Sequence, residues 1–381
     1  MINVDRPLPS DLELPTLGVE EEFLVVDPDS GLPLPVAGEV IDVARGFGAD
    51  LRPELTLAQV ESNTPVCRGM REVRGHLLTA RSVAAAAALR VGGRLLAVGV
   101  PLAGPTAQPL TDTERYARIG RDYGALAAEH GVCGCHVHVA VPDRETAVQV
   151  CNHLRPWLPV LLALTANSPI HQGVDTGYAS WRSVLVGRWA CSGAPPFFTS
   201  AEHYDAVVDM MVDSGAVLDR GMVYWDARPS DHLPTVEVRV SDVPATVDET
   251  VLLAVLVRAL VTTAVQAVER GEWALPVSEQ ALRAAYWRAA RDGITGQGLD
   301  LFANRRAPAS HLLGHLVRHV RPVLRRTGEL RAVNSLLTKV LQVGNGAVRQ
   351  RRALQRDGRL ADVVAVLSRH TGQDCLPETA A

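Results

Sequence analysis

Several familiar signatures are missing from this sequence. It contains no Gly-x-x-x-x-Gly-Lys-Ser/Thr loop, which excludes that kind of phosphate cradle. No Ser-His-Asp or Cys-His pattern stands out to mark a nucleophile. There is no basic excess: 38 Lys and Arg stand against 42 Asp and Glu, a net charge of -4. That argues against nucleic acid as the main partner, while a local basic patch remains compatible with a phosphorylated small molecule. Cysteines are few, at positions 67, 133, 135, 151, 191 and 375, and they form no disulfide-rich pattern. The opening "MINVDRPLPSDLELP" lacks the apolar stretch of a signal peptide. The expectation is a cytoplasmic protein with reduced thiols. The longest apolar run, residues 251 to 268, carries Arg258 near its middle, which is expensive in a bilayer. It reads as a buried amphipathic helix, and no membrane partner is expected.

What is present is enough apolar material for a sizeable core: 47% of 381 residues are hydrophobic and 21% charged. Residues 1–16 read as a flexible, proline-containing tail. Strands are expected at 17–27, about 54–63, 95–101, around "CHVHVAVPD" and at 235–242. Helices are expected over 70–93, over 111–131 with Thr111 or Asp112 near its cap, over most of 144–191, and over 246–269. Further helices follow at 277–292, 309–326, 329–343 and 358–370. No repeat and no linker divides the chain, so 17–381 reads as one domain with a helical C-terminal part. Strands interleave with helices and alternate strictly, which favours an α+β fold: an antiparallel sheet with one open face, not a doubly wound parallel sheet.

The alternation also decides which side chains share that face. In "TLGVEEEFLVVD", Glu20 and Glu22 point one way, and Glu21 points with Val19 and Phe23. Two carboxylates two residues apart repel unless one takes a proton or both hold a hard cation such as Mg²⁺. In "LAQVESNTP", Glu61 stands just before a turn. In "CGCHVHVAV", His136 and His138 share a face opposite Cys135, Val137 and Val139. In "TVEVRVSD", Thr235, Glu237, Arg239 and Ser241 oppose Val236, Val238 and Val240. Glu237 suits a cation, and Arg239 suits a phosphate gripped by a planar fork. Each strand alone also fits a sheet with one wet face. Four strands each bringing an acid or a polar pair to one face favour a site. Carboxylates with one or two histidines suit Mg²⁺ or Mn²⁺ with phosphate; the same set with Cys133 and Cys135 suits Zn²⁺. Three readings follow: an ATP-dependent ligase, a Zn²⁺-dependent hydrolase built on the His136/His138 face, or a non-catalytic metabolite binder.

The segments "GVEEEF", "ESNTP", "CGCHVHVAVPD", "LTANSPIHQGVDTGYASWRS", "WDARPSDHLPTVEVRVSD" and "GNGAVRQR" occur in this order between about residues 15 and 370. Together they resemble the carboxylate–amine ligase family, the group-2 glutamate–cysteine ligases. The resemblance implies a glutamine synthetase-like fold, a curved antiparallel sheet with helices packed on one side. It implies ATP-dependent activation of a carboxylate as an acyl phosphate, followed by attack of an amine. It makes Glu20, Glu22, Glu61, His136 and Glu237 metal ligands, with Mg²⁺ or Mn²⁺ as the ion. Arg239 becomes the phosphate contact, with His138 and Arg349 as further nucleotide-side residues. Arg182, Arg188 and Arg228 fall beside the substrate. L-glutamate is the implied carboxylate; the amine stays open, with L-cysteine as first candidate. A homo-oligomer is compatible with the resemblance.

Overall fold

A computed structural model describes residues 14–372 of the chain. Most of the expected tail, residues 1–13, and Cys375 lie outside the described residues. The strands are β1 (Leu17–Val26), β2 (Leu51–Pro53), β3 (Gln59–Asn63), β4 (Arg94–Leu96), β5 (Gly134–Ala140), β6 (Ile170–His171), β7 (Val174–Asp175), β8 (Ala227–Pro229), β9 (Thr235–Asp242), β10 (Gln297–Asp300) and β11 (Arg305–Pro308). Seven of them form one sheet in the order β2-β3-β1-β5-β9-β8, with β4 also paired to β1. Every pairing is antiparallel. β6 with β7, and β10 with β11, make two small ribbons.

The apolar residues of the alternating strands all face one layer of helices. Val19, Val137, Val139, Val236 and Val238 join a core with residues of the helices Arg144–Leu154, Leu158–Thr165, Val247–Glu269 and Ala309–Arg326. Val247–Glu269 lies at the centre of that core. It is long and apolar enough to cross a membrane by composition, yet 83% of its most apolar window is buried inside the protein. It is therefore buried nearly all round, where the sequence pointed to an amphipathic helix. Its Arg258 is 2% exposed and is neutralised by Glu329 at 2.5 Å and by the Arg68 carbonyl at 2.6 Å.

Other departures have local causes. The strand expected over 54–63 is interrupted: β2 ends at Pro53 and β3 begins at Gln59, with Glu54 in the loop between. The strand expected over 95–101 pairs only through Leu96. The helix expected over 111–131 starts later, capped by Thr113, and breaks at Gly124, where φ is +55°. The short helix Ala37–Gly46, strand β8 and the helices Ala201–Asp213 and Gly346–Asp357 add elements the sequence reading did not place. The ladder between β5 and β9 shifts register between Cys135 and Val137, so two residues of β9 face one of β5. Past that bulge Ser241 opposes Cys135 of the core, so it leaves the polar row that alternation assigned to it.

Glu21 follows the apolar face, as the alternation requires, and meets Arg81 from the helix Met70–Arg90. Both side chains are fully buried, with Oε1 at 2.6 Å and Oε2 at 2.9 Å from the guanidinium. Arg81 also donates to the carbonyls of Pro244 and Ala245, and the Thr250 hydroxyl donates to Glu21 at 2.6 Å. This network ties β1 to the start of the central helix. Removing one charge strands the other in an apolar layer. Glu21→Gln is therefore expected to cost about 3–5 kcal/mol, read as a lowered urea midpoint. A double replacement, Glu21→Leu with Arg81→Met, should recover most of that loss. A Glu21→Gln midpoint equal to the wild type would show that the pair carries no structural weight.

Candidate active site

The opposite face of the sheet opens into a cavity of about 200 Å³. Its lining includes Glu20 and Glu22 of β1, Glu61 of β3, His136 of β5, Arg228 of β8 and Arg239 of β9. The ladders bring them together: Glu22 is opposite Glu61, Glu20 is opposite His136, and His138 is opposite Glu237. Glu20 reaches both histidines, 3.2 Å from His136 Nδ1 and 3.2 Å from His138 Nε2. Glu22 accepts the Gly134 backbone N–H at 2.5 Å and lies 3.7 Å from His136 Nε2. Glu237, 2% exposed, is clamped between Arg228 at 2.8 Å and Arg239. Arg239 also lies 3.2 Å from His136 Nδ1 and over the Tyr224 ring.

The charges respond to this crowding. Burial alone raises the Glu20 carboxyl, but hydrogen bonds and charge from His136 and His138 outweigh it and hold the group far below its ordinary range. Glu237 behaves likewise: burial raises it, and Arg239 and Arg228 hold it well below the usual value. Burial, then Glu20 and Glu22, push Glu61 up to about 7. Burial, then Glu22 and Glu61, raise Glu54 well above its ordinary value. One end of the cavity thus gathers carboxyls that burial and mutual repulsion raise.

The donor set fits a hard divalent ion. Oxygens of Glu22, Glu54 and Glu61 lie within 4.8 Å of one another, and so do ligand atoms of Glu20, His138 and Glu237. His136 Nε2 is buried and makes no hydrogen bond, a free donor atom beside both groups. Cys133 and Cys135 join neither group: both sit in the apolar clusters, and burial raises their thiols far above the ordinary range. The zinc reading with these cysteines therefore lacks its sulfur ligands.

The expected arginines part company. Arg182 lines the cavity, 6% exposed, with its Nε buried and unbonded and its Nη2 3.4 Å from the Arg239 carbonyl. Gly134 makes room for it, since a Cβ there would sit 2.5 Å from Arg182 Nη2. The backbone N–H of Arg182 is held by Ser168, whose hydroxyl donates to the buried Asp242. Arg188, by contrast, lies beyond the short helix Trp181–Val186 and turns outward to pair with Glu129 at 2.5 Å. Arg349 pairs with Glu249 at 2.7 Å. Neither lines the cavity. The motif around Arg349 serves packing: Asn345 donates to the Ala163 and Leu164 carbonyls, and a Cβ on Gly346 would fall 1.8 Å from Asn167 Oδ1.

The sequence reading missed Glu54, Asp226, Tyr224, His130, Gln59, Arg115 and Tyr116, which also line the cavity. For Tyr224, Asp226 and Arg228 a signal existed, because "YWDAR" alternates with Trp225 and Ala227, both buried in apolar clusters. Glu54 sits in a loop, where no periodicity marks it.

Known proteins match this chain along its length. The family model described as glutamate-cysteine ligase family 2 matches residues 16–366. A protein of Mycolicibacterium vanbaalenii, provisionally named glutamate–cysteine ligase 2-2, is 53% identical over 362 residues, covering 95% of this chain and 99% of its own. A protein of Salinispora tropica, provisionally named glutamate–cysteine ligase 2, is 48% identical over 366 residues, covering 96% of each chain. The crystal structure of a glutamate–cysteine ligase of Francisella tularensis in complex with AMP superposes with a TM-score of 0.70 at 13% identity, covering 96% of this chain and 91% of that one. At that identity the likeness is one of fold. The chain belongs to glutamate–cysteine ligase family 2, a family of ATP-dependent ligases that join a carboxylate to an amine.

Proposed function

We propose that this protein joins the γ-carboxyl group of L-glutamate to an amine, with L-cysteine as the first candidate, by way of an acyl phosphate. The observation that carries the reading is the meeting, in one cavity, of the carboxylates Glu20, Glu22, Glu54 and Glu61 with the guanidiniums of Arg182, Arg228 and Arg239. Mg²⁺ or Mn²⁺ held by Glu22, Glu54 and Glu61, and by Glu20, His138 and Glu237 beside His136, would neutralise phosphate charge there. Arg239 presents its planar fork to the γ-phosphate as charge builds on it. Arg182, with its Nε free, offers a donor to a carboxylate or phosphate oxygen. A free carboxylate is a poor electrophile and needs activation. The five described cysteines are buried thiols, which supports phosphoryl activation over an acyl-enzyme. Free thiols also suit a reducing cytosol.

Glutamate carrying ¹⁸O in its γ-carboxyl group tests the route. One label should pass to inorganic phosphate in each turnover. Label in AMP would mean adenylation and would overturn the acyl phosphate.

Two outcomes are expected of the site itself. Glu54→Gln keeps size and removes a charge from the three-carboxylate group, so its Mg²⁺ requirement in ADP release should rise by about ten-fold or more. A wild-type Mg²⁺ profile would remove Glu54 from the ligand set. Arg239→Lys keeps the charge but loses the fork between Glu237 and the phosphate, and turnover should fall by about ten- to a hundred-fold. Unchanged kinetics would place Arg239 outside the phosphate site.

The raised carboxyl of Glu61 sets a pH dependence. Its pKa in the fold, about 7, lies above its ordinary 4.5, so the metal-free fold binds the extra proton. The stability this group contributes is full below its ordinary value and is lost as pH rises through 7. A cation competes with the same proton. Mg²⁺ affinity is therefore expected to strengthen from pH 6 to pH 8, most steeply below 7, in calorimetric titrations of the metal alone. Affinity independent of pH across that window would mean that Glu61 does not bind the ion.

A further inference from the structure

Five carboxylates line the cavity: Glu20, Glu22, Glu54, Glu61 and Asp226. The first four belong to the two groups whose ligand atoms converge; Asp226 belongs to neither. It is 8% exposed, makes no ion pair among the described residues, and has the Tyr286 hydroxyl beside its carboxyl. Its cationic neighbours are engaged elsewhere, Arg228 and Arg239 with Glu237 and Arg182 with the Arg239 carbonyl. Its position in the sheet is defined. The Arg239 N–H donates to the Asp226 carbonyl at 2.8 Å, which sets Asp226 beside Arg239 at the edge of the ladder. The alternation of Tyr224, Asp226 and Arg228 turns its side chain to the cavity.

Amide formation needs such a group. At neutral pH an amine arrives as its ammonium ion, which cannot attack until it loses a proton. Guanidiniums suited to an anionic acyl phosphate would repel that ammonium, so the amine calls for a carboxylate beside them that pairs with no cation. Resting on the ligase reading above, we propose that Asp226 is the acceptor-amine subsite, binding the primary ammonium and taking its proton. The ammonium gives one proton to the Asp226 carboxylate. The freed lone pair forms the C–N bond at the acyl carbon, the C–O bond to phosphate breaks, and phosphate leaves with that electron pair and the second nitrogen proton. Asp226 returns its own proton to water. Burial, opposed by Arg182, a hydrogen bond from Tyr286 and then Arg239, lifts the Asp226 carboxyl to about 6, which suits a group that is a carboxylate at neutral pH and accepts a proton readily.

The test compares acceptors that need a base with one that does not. The full chain is assayed at pH 7 with ATP, Mg²⁺ and L-glutamate, against a panel of common amino acids and against hydroxylamine, which is neutral at that pH. Asp226→Asn is expected to lower kcat/KM for the preferred amino acid by about a hundred-fold or more while lowering the hydroxylamine rate far less. Asp226→Glu should restore part of the loss. Equal loss with both acceptors, no loss with either, or a wild type that uses hydroxylamine but no amino acid overturns the assignment. The ligase reading is tested separately on the wild type without any amine, through glutamate-dependent scrambling of ¹⁸O between the bridging and non-bridging positions of ATP. Its absence removes the ligase reading; its presence with an unimpaired Asp226→Asn variant removes only the amine subsite.

Discussion

The open face of this sheet is organised around like charges held close together. Oxygens of Glu22, Glu54 and Glu61 lie within 4.8 Å of one another, with Glu20 next to them on β1. Two unit charges about 4 Å apart near a protein surface repel by about 4 kcal/mol. The fold has to offset that repulsion, and it does so unevenly. Glu20 borrows from two histidines, Glu237 from two arginines and Glu22 from a backbone N–H. Glu54 and Glu61 have less help, and burial with their acidic neighbours raises both carboxyls. The raised carboxyl groups mark the repulsion that the fold leaves uncompensated. Keeping such charges together takes a fold rigid enough to stop them from separating.

The rigidity comes from the other face. Each polar residue of β1, β5 and β9 on the open side alternates with a valine or similar residue anchored in the helical layer. Glu21 is the one acid of β1 on that side, and it is matched by a fully buried Arg81. The helix Val247–Glu269 lies under the sheet, capped by Thr246 a few residues after β9. Displacing the carboxylates would mean dragging this core with them. The bulge on β9 adds a local adjustment: it takes Ser241 out of the polar row and sets Asp242 opposite Gly134. Asp242 there holds Ser168 and Ser180, which fix the start of the turn that delivers Arg182. The acids and histidines of the strands and the turn that carries Arg182 are thus positioned by one sheet.

A good part of this was legible beforehand. Strict alternation in "GVEEEF", "CHVHV" and "TVEVRV" assigns Glu20, Glu22, His136, His138, Glu237 and Arg239 to one face, because period two is a property of the extended backbone itself. The opposite placement of Glu21 and Cys135 follows from the same rule. Arginines in helices and turns have no such rule. Arg182 lies in the first turn of a short helix and Arg188 just past its end; one turns inward under Gly134 and the other outward to Glu129. Arg349 lies in a motif whose Asn and Gly are explained by packing against Asn167 and the Ala163 and Leu164 carbonyls.

The sequence by itself therefore determined the α+β class, the faces of the long strands and the acids and histidines those faces carry. All of these depend on local backbone geometry. Only the tertiary structure decided which of them meet. Glu54 joins Glu22 and Glu61 because the loop between β2 and β3 folds beside β1, and Asp226 stands by Arg239 because β8 pairs at the edge of β9. Those encounters are set by strand register and loop path between separate segments, and no periodicity within a segment records them.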